Sequence, residues 1–228
     1  MTTVEKIMEK IHISQVWHKV QESIVIKAKR ERSVFRHGDN FYKIWDRNWV
    51  SSLITDHCFD VGFYNVDNTE SVSALLFDDS GPRGYVQKAG LCLSAANKNS
   101  WSHLPSEVSK DIVAGFLEKN MELSIKHDGL YADFAPSNLI LFNGKINFID
   151  LESYRSFDFV FDEKPKFFED FDLNAWWKPI ETSQRDVNAF YKACFKECLE
   201  IDLDFNIDSR ENFIKAKNIL VQKRLKDD

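Results

Sequence analysis

Tyr131-Ala132-Asp133-Phe134-Ala135-Pro136-Ser137-Asn138-Leu139-Ile140-Leu141, continuing through Asn143-Gly144 to Phe148-Ile149-Asp150-Leu151-Glu152, is the stretch on which the reading of this chain turns. Leu139 to Phe142 and Lys145 to Ile149 are two runs joined by Asn-Gly, a dipeptide that accepts the positive φ angles of a two-residue hairpin turn. Such a turn pairs Phe142 with Lys145, and counting back sets Asn138 opposite Ile149. Asn138 and Asp150 then fall at the same end of one hairpin. Asp133 precedes Asn138 on a loop that can curl over that end. A carboxylate and an amide oxygen converging there suit Mg2+, which prefers oxygen ligands and takes the rest of its shell from substrate phosphates. Taken singly, Asp133 and Asn138 read as turn formers and Asp150 as a strand-end residue; their joint placement is what points to chemistry.

Working outward, Ser106 to Lys126 carries Val108, Ile112 and Phe116, with Val113, Leu117 and Met121 alongside, the period of a helix that Gly129 can stop. Before it, a short N-terminal helical stretch leads to strands at Ser23 to Lys29, Ser33 to Arg36 and Phe41 to Trp45, with Gly38-Asp39 as a hairpin turn. Residues from Arg47 to about Phe59 read as a helix. Ser71 to Phe77 and Arg83 to Lys88 form a second hairpin around Asp78-Asp79-Ser80-Gly81-Pro82. The first ninety residues are therefore expected to be a sheet of about five strands with one inserted helix. After Arg155 the chain is aromatic, acidic and irregular until two closing helices, about Gln184 to Ile201 and Arg210 to Leu225.

Phe41, Lys43 and Trp45 share one face of a strand, so a lysine stands between two large aromatics where an apolar residue is expected. Such a lysine needs an anionic partner. The aromatic run from Tyr154 through Phe157, Phe159, Phe161, Phe167, Phe168 and Phe171 to Trp176 and Trp177 has two readings, stacking on a sugar or core packing.

The loop, hairpin and following Asp resemble the protein-kinase-like superfamily, nearest to its small-molecule (aminoglycoside phosphotransferase-like) and bacterial glycan or lipopolysaccharide kinases. Those families carry a D-x-x-x-x-N catalytic loop, an apolar hairpin and an apolar-apolar-Asp metal motif. The resemblance covers roughly residues 23 to 152. It implies an α+β, two-lobed fold: a five-stranded antiparallel amino-terminal lobe over residues 1–90 and a short, mainly helical carboxy-terminal lobe over 91–228. It implies Asp133 as catalytic base and Asn138 and Asp150 as Mg2+ ligands, with Ile149-Asp150-Leu151 in place of D-F-G. Lys43 becomes the lysine on the ATP phosphates. The inserted helix has no Glu to pair with it, and Asp56 is the favoured substitute over Asp60. Lys27 to Ser33 stands where a glycine-rich loop belongs, so basic side chains or Ser33 would cover the phosphates. Gln87-Lys88-Ala89-Gly90 would be the hinge that meets adenine through its backbone. Tyr131 replaces the usual His of the catalytic loop. His127-Asp128 is not an alternative start, because five residues after Asp128 comes Asp133 rather than Asn.

The expected activity is transfer of the γ-phosphoryl group of ATP to a hydroxyl of a small molecule or glycan. The region after Asp150 is too short for a protein kinase and lacks its A-P-E signature. The rivals are a catalytically inactive pseudokinase, acting as a nucleotide-binding or scaffolding module, and an enzyme of the same fold that transfers AMP. Composition is compatible with all three. A net charge of −6 argues against nucleic acid as main partner, and 43% hydrophobic with 29% charged residues is the balance of a globular chain. The charged residues of Met1 to Lys10 exclude a signal-peptide core there, and no span approaches twenty apolar residues, so a cytoplasmic location is expected. Cys194 and Cys198 fall on the apolar face of one helix with Val187, Phe190, Tyr191, Phe195 and Leu199, which reads as buried reduced thiols rather than half a metal site.

Overall fold

The computed structural model describes residues 9–28, 32–45, 70–94, 101–131, 136–149, 154–161 and 188–227. The chain divides into two units, Met1–Leu91 and Cys92–Asp228. The fold class is α+β, with a mixed sheet in the first unit.

The first unit opens on β1 (Glu9–His12), α1 (Ile13–Gln21), β2 (Ile24–Ala28), β3 (Arg32–His37) and β4 (Asn40–Trp45), and closes on the hairpin β5 (Val72–Asp78) and β6 (Gly81–Lys88). The sheet order is β1-β5-β6-β4-β3-β2. It has six strands rather than the expected five, and it is not wholly antiparallel, because β1 lies parallel to β5 with Glu9 beside Ala74. Only Ile11 of β1 is partly buried, so the strand shows no alternation, and Ile7 and Ile11 at a four-residue spacing imitate a helix. The helix does form, but one strand later, where His12 caps α1 by accepting from the Ser14 N–H at 3.4 Å.

Turn chemistry behaved locally. His37 pairs with Asn40 across Gly38-Asp39, with Gly38 at φ 57°. The second hairpin is tighter than its sequence suggests: Asp78 pairs with Gly81 around Asp79-Ser80 alone, and the Ser80 N–H donates to the Asp78 carboxylate at 2.8 Å. Gly81 and Pro82 thus belong to the strand. Val16 and Val20 of α1 pack on Tyr42, Ile44, Ala74, Leu76 and Val86, which line one face of the sheet. The helix expected over 47–59 lies outside the described residues.

β7 (Leu91–Cys92) falls at the boundary of the units, and the second unit continues with a 3-10 turn at Trp101–His103 and α2 (Lys110–Lys126). Ser109 caps α2 by accepting from Ile112 N–H at 3.3 Å, which starts the helix later than the pattern alone implies. Asp128, at φ 54°, makes the left-handed exit that Gly129 was expected to make, and Gly129 instead begins β8 (Gly129–Tyr131). The turn Pro136–Asn138, β9 (Leu139–Phe142) and β10 (Lys145–Phe148) follow, then β11 (Tyr154–Ser156) against β8, and α3 (Phe157–Phe161). A helix over 188–199, here α4, and α5 (Arg210–Asp227) close the unit. Phe116 packs on Phe148 at 5.4 Å between ring centres, joining α2 to β10. Phe213 of α5 gathers Phe157 and Tyr191 at 5.3 Å each and Phe161 at 6.3 Å. Phe157 is therefore core, with Phe161 half-buried beside it; the aromatics from Phe167 to Trp177 lie outside the described residues. Cys194 and Cys198 are buried on the apolar face of α4, and burial pushes the Cys194 thiol well up, so it stays protonated and inert.

Candidate active site

β4 is an interior strand, paired with β3 and β6, and both of its faces are covered over its last four residues. Tyr42, Lys43, Ile44 and Trp45 are accordingly all buried. Tyr42 and Ile44 face α1, so Lys43 and Trp45 point to the opposite side. Lys43 is 7% exposed, and its ammonium lies 5.5 Å from the centre of the Tyr85 ring, the residue paired with it on β6. Tyr85 in turn meets Trp45 edge-on at 6.0 Å. A ring face turned to a cation stabilises it by about 0.5–2 kcal/mol, more when water is excluded.

Phe41, Lys43, Tyr85 and Gln87 share this face through the register Phe41 to Gln87 and Lys43 to Tyr85. Gln87 is buried and donates from its side-chain amide to Ser71 Oγ at 2.8 Å. The Lys88 N–H donates to the Ser71 carbonyl and the Ala89 N–H to the Asp39 carbonyl, each at 2.8 Å. The donors at the end of β6 are thus used within the unit, and what Ala89 can offer a base is its carbonyl. Ser33 pairs with Ile44, which puts its side chain on the α1 face, opposite to Lys43. Asp56 lies outside the described residues.

In the second unit the hairpin forms in the register read from Asn-Gly. Phe142 pairs with Lys145 and Leu139 with Phe148, and Asn143 and Gly144 take φ 50° and 75°, the signs of a type I′ turn. The Ile149 N–H donates to the Asn138 carbonyl at 3.0 Å, so Asn138 and the residue preceding Asp150 are tied at the open end of the hairpin. Leu139 and Phe148 are buried directly behind them. Asp133 and Asp150 lie outside the described residues. Among the described residues no group of three His, Cys, Asp or Glu side chains is placed to hold a metal.

Asp128, the rejected alternative to Asp133, is occupied structurally: its carboxylate pairs with Arg210 at 2.7 Å and its carbonyl accepts from the Phe157 N–H at 3.0 Å. Burial and the adjacent Lys126 charge hold His127 below the usual imidazole range. Tyr85, Ser71 and Arg83 were read from the sequence only as residues of the second hairpin and not as site residues; Tyr85 comes opposite Lys43 only once β4 and β6 pair. No family model matches the chain, and no curated protein is detectably similar to it in sequence. No helix among the described residues is long and apolar enough to cross a membrane.

Proposed function

We propose that this protein is an ATP-dependent phosphotransferase that moves the γ-phosphoryl group to a hydroxyl of a small molecule or glycan, on a two-lobed kinase-like fold. The observation that carries the reading is Lys43, an ammonium on a central strand, 7% exposed and set among aromatic rings. A protein interior tolerates such a charge where an anion or a functional ligand requires it. The Asn138 end of the hairpin supports it, because Asp150 follows Ile149 in sequence, and Ile149 is hydrogen-bonded to Asn138.

In this reading Lys43 neutralises charge on the ATP phosphates, with Asp56 as its acidic partner. Asn138 and Asp150 hold Mg2+, which supplies Lewis-acid charge stabilisation on the transferring group. Asp133 orients the acceptor hydroxyl and accepts its proton. Ser33, at the start of β3 and on the α1 face, does not stand beside Lys43, and Gln87 and Ala89 border the base, Ala89 through its carbonyl. The acceptor is a small molecule or glycan and the setting cytoplasmic.

Calorimetry with Mg-ATP on the parent and on Asp150→Ala tests the assignment. Binding by the parent and its loss in a folded Asp150→Ala variant is the expected result, and parental affinity in that variant refutes the metal role. A parent that binds Mg-ATP but consumes none with any sugar or aminoglycoside acceptor would be the pseudokinase instead. Product masses that gain AMP rather than phosphate would make the enzyme a nucleotidyl transferase.

A further inference from the structure

The β5–β6 ladder runs from Leu76 opposite Gly84 directly to Phe77 opposite Pro82, so Arg83 is an extra residue on β6. Such a bulge re-aims its side chain. Here the Arg83 guanidinium donates from Nε and Nη2 to the Trp45 carbonyl at 3.2 and 3.0 Å, and from Nη1 to the Asp78 carboxylate at 2.6 Å. The ion pair is shielded, with side chains 16% and 5% exposed, so it is not a solvated surface contact. The β4–β6 ladder ends at Ile44 opposite Gly84, and Arg83 supplies donors to the next carbonyl along.

Gly84 approaches β4 more closely than any other residue type could. It sits at φ +144°, and a Cβ there would stand 1.9 Å from the Lys43 carbonyl oxygen and 3.2 Å from Ile44 Cα. Gly81, in the same strand at φ +123°, has nothing within 4 Å of its Cβ position. The two glycines therefore differ in kind: one serves the turn, the other makes room for the backbone of Lys43.

We infer that Asp78, Arg83 and Gly84 are positioning residues that fix the backbone on either side of Lys43 and so set where its ammonium stands. The consequence for nucleotide affinity rests on the phosphotransferase reading above; the placement of Lys43 does not. A displaced charge loses its directed bonds: a misplacement of about 1 Å is enough to cost on the order of a hundredfold where geometry matters.

The test compares Arg83→Met, Gly84→Ala and the control Gly81→Ala, which has a similar positive-φ penalty without the contact. Acylation of lysine amines, read by mass spectrometry with the exposed Lys110 as internal reference, reports the position of Lys43 without any ligand. Lys43 should acylate slowly in the parent and in Gly81→Ala, and about tenfold faster or more in the other two, as for a local opening. Arg83→Lys, which keeps a cation beside Asp78, should recover part of the protection. Parental Lys43 reactivity in folded Arg83→Met overturns the inference, as does equal exposure in all three variants, which would mean general loosening. Arg83→Met adds no clash and decides the matter if Gly84→Ala fails to fold by circular dichroism. Mg-ATP calorimetry on the same proteins should show about tenfold weaker binding in Arg83→Met and Gly84→Ala. Faster acylation in a family whose parent binds no Mg-ATP would uphold the clamp and remove the nucleotide reading of Lys43.

Discussion

Replacing Lys43 by Met separates the cost of losing a ligand contact from the cost of losing the fold. The side chain is 7% exposed between buried Tyr42, Ile44 and Trp45, and a thioether of similar length fills the same space without leaving a large cavity. Among its contacts, the free protein loses the Tyr85 ring face, which alone contributes about 0.5–2 kcal/mol. In the proposed nucleotide complex the loss is larger. Hydrogen bonds from a charged donor to phosphate contribute about 1.5–3 kcal/mol each, so the loss of one weakens Mg-ATP binding by about ten- to a hundred-and-fifty-fold. Calorimetry gives the affinity, and thermal unfolding with and without Mg-ATP gives the fold and the ligand effect from one sample. The Met variant should still unfold cooperatively while its ATP-induced stabilisation falls or disappears. Parental affinity in a folded Lys43→Met protein would refute the assignment and make Lys43 a packing residue with a ring contact.

Asp133→Asn should bind Mg-ATP nearly as the parent does yet lose about a hundred- to ten-thousand-fold in turnover, because in the proposed mechanism proton acceptance belongs to the transfer step; coupled assay of ATP consumption with a verified acceptor measures it. Tyr191→Phe should destabilise the second unit by about 1–3 kcal/mol in urea unfolding, since it strands the buried Asn120 amide that bonds the Tyr191 hydroxyl at 2.6 Å, beside Asn120 Oδ1 and Ser124 Oγ, which have no hydrogen-bond partner among the described residues. Adding Asn120→Leu should restore most of that loss, and a double variant no more stable than the single one would contradict it. Burial pushes the Tyr191 hydroxyl far above its ordinary value, so only the unfolded chain ionises near pH 10. The unfolded state then holds fewer protons, and stability should fall as pH rises above about 10, a slope that Tyr191→Phe reduces and that the raised Cys194 thiol and Tyr42 hydroxyl keep in part. Gly144→Ala, at φ 75°, should cost about 1–2 kcal/mol of stability, whereas Asn143→Gly should cost far less.

The hairpin that holds Asn138 was legible because everything that decides it is local. Two residues with positive φ between short apolar runs leave one register, and that register is the observed one, from Phe142 and Lys145 down to Asn138 and Ile149. The same holds for the Gly38-Asp39 turn, the body of α2 and the buried pair Cys194 and Cys198, each specified by neighbours within a turn or two of chain. Lys43 was legible as an anomaly, a charge on an apolar strand face.

What the sequence could not specify depends on groups distant along the chain. β1 has one partly buried residue, and it is a strand only because the edge of β5, more than sixty residues later, offers unpaired backbone groups to it. The Ala89 N–H is used by the Asp39 carbonyl, and Ser33 is turned away from Lys43 by its register with Ile44, neither of which composition or periodicity records. Arg83 and Gly84 read as ordinary hairpin residues; only the bulge directs the guanidinium to the Trp45 carbonyl and brings Gly84 against Lys43. The sequence by itself thus determined the turns, the amphipathic faces and the identity of the charged and polar groups, because steric and hydrophobic preferences act over a few residues. Tertiary structure alone decided which backbone lies beside Lys43, because a carbonyl finds its donor by position in space and not by order in the chain.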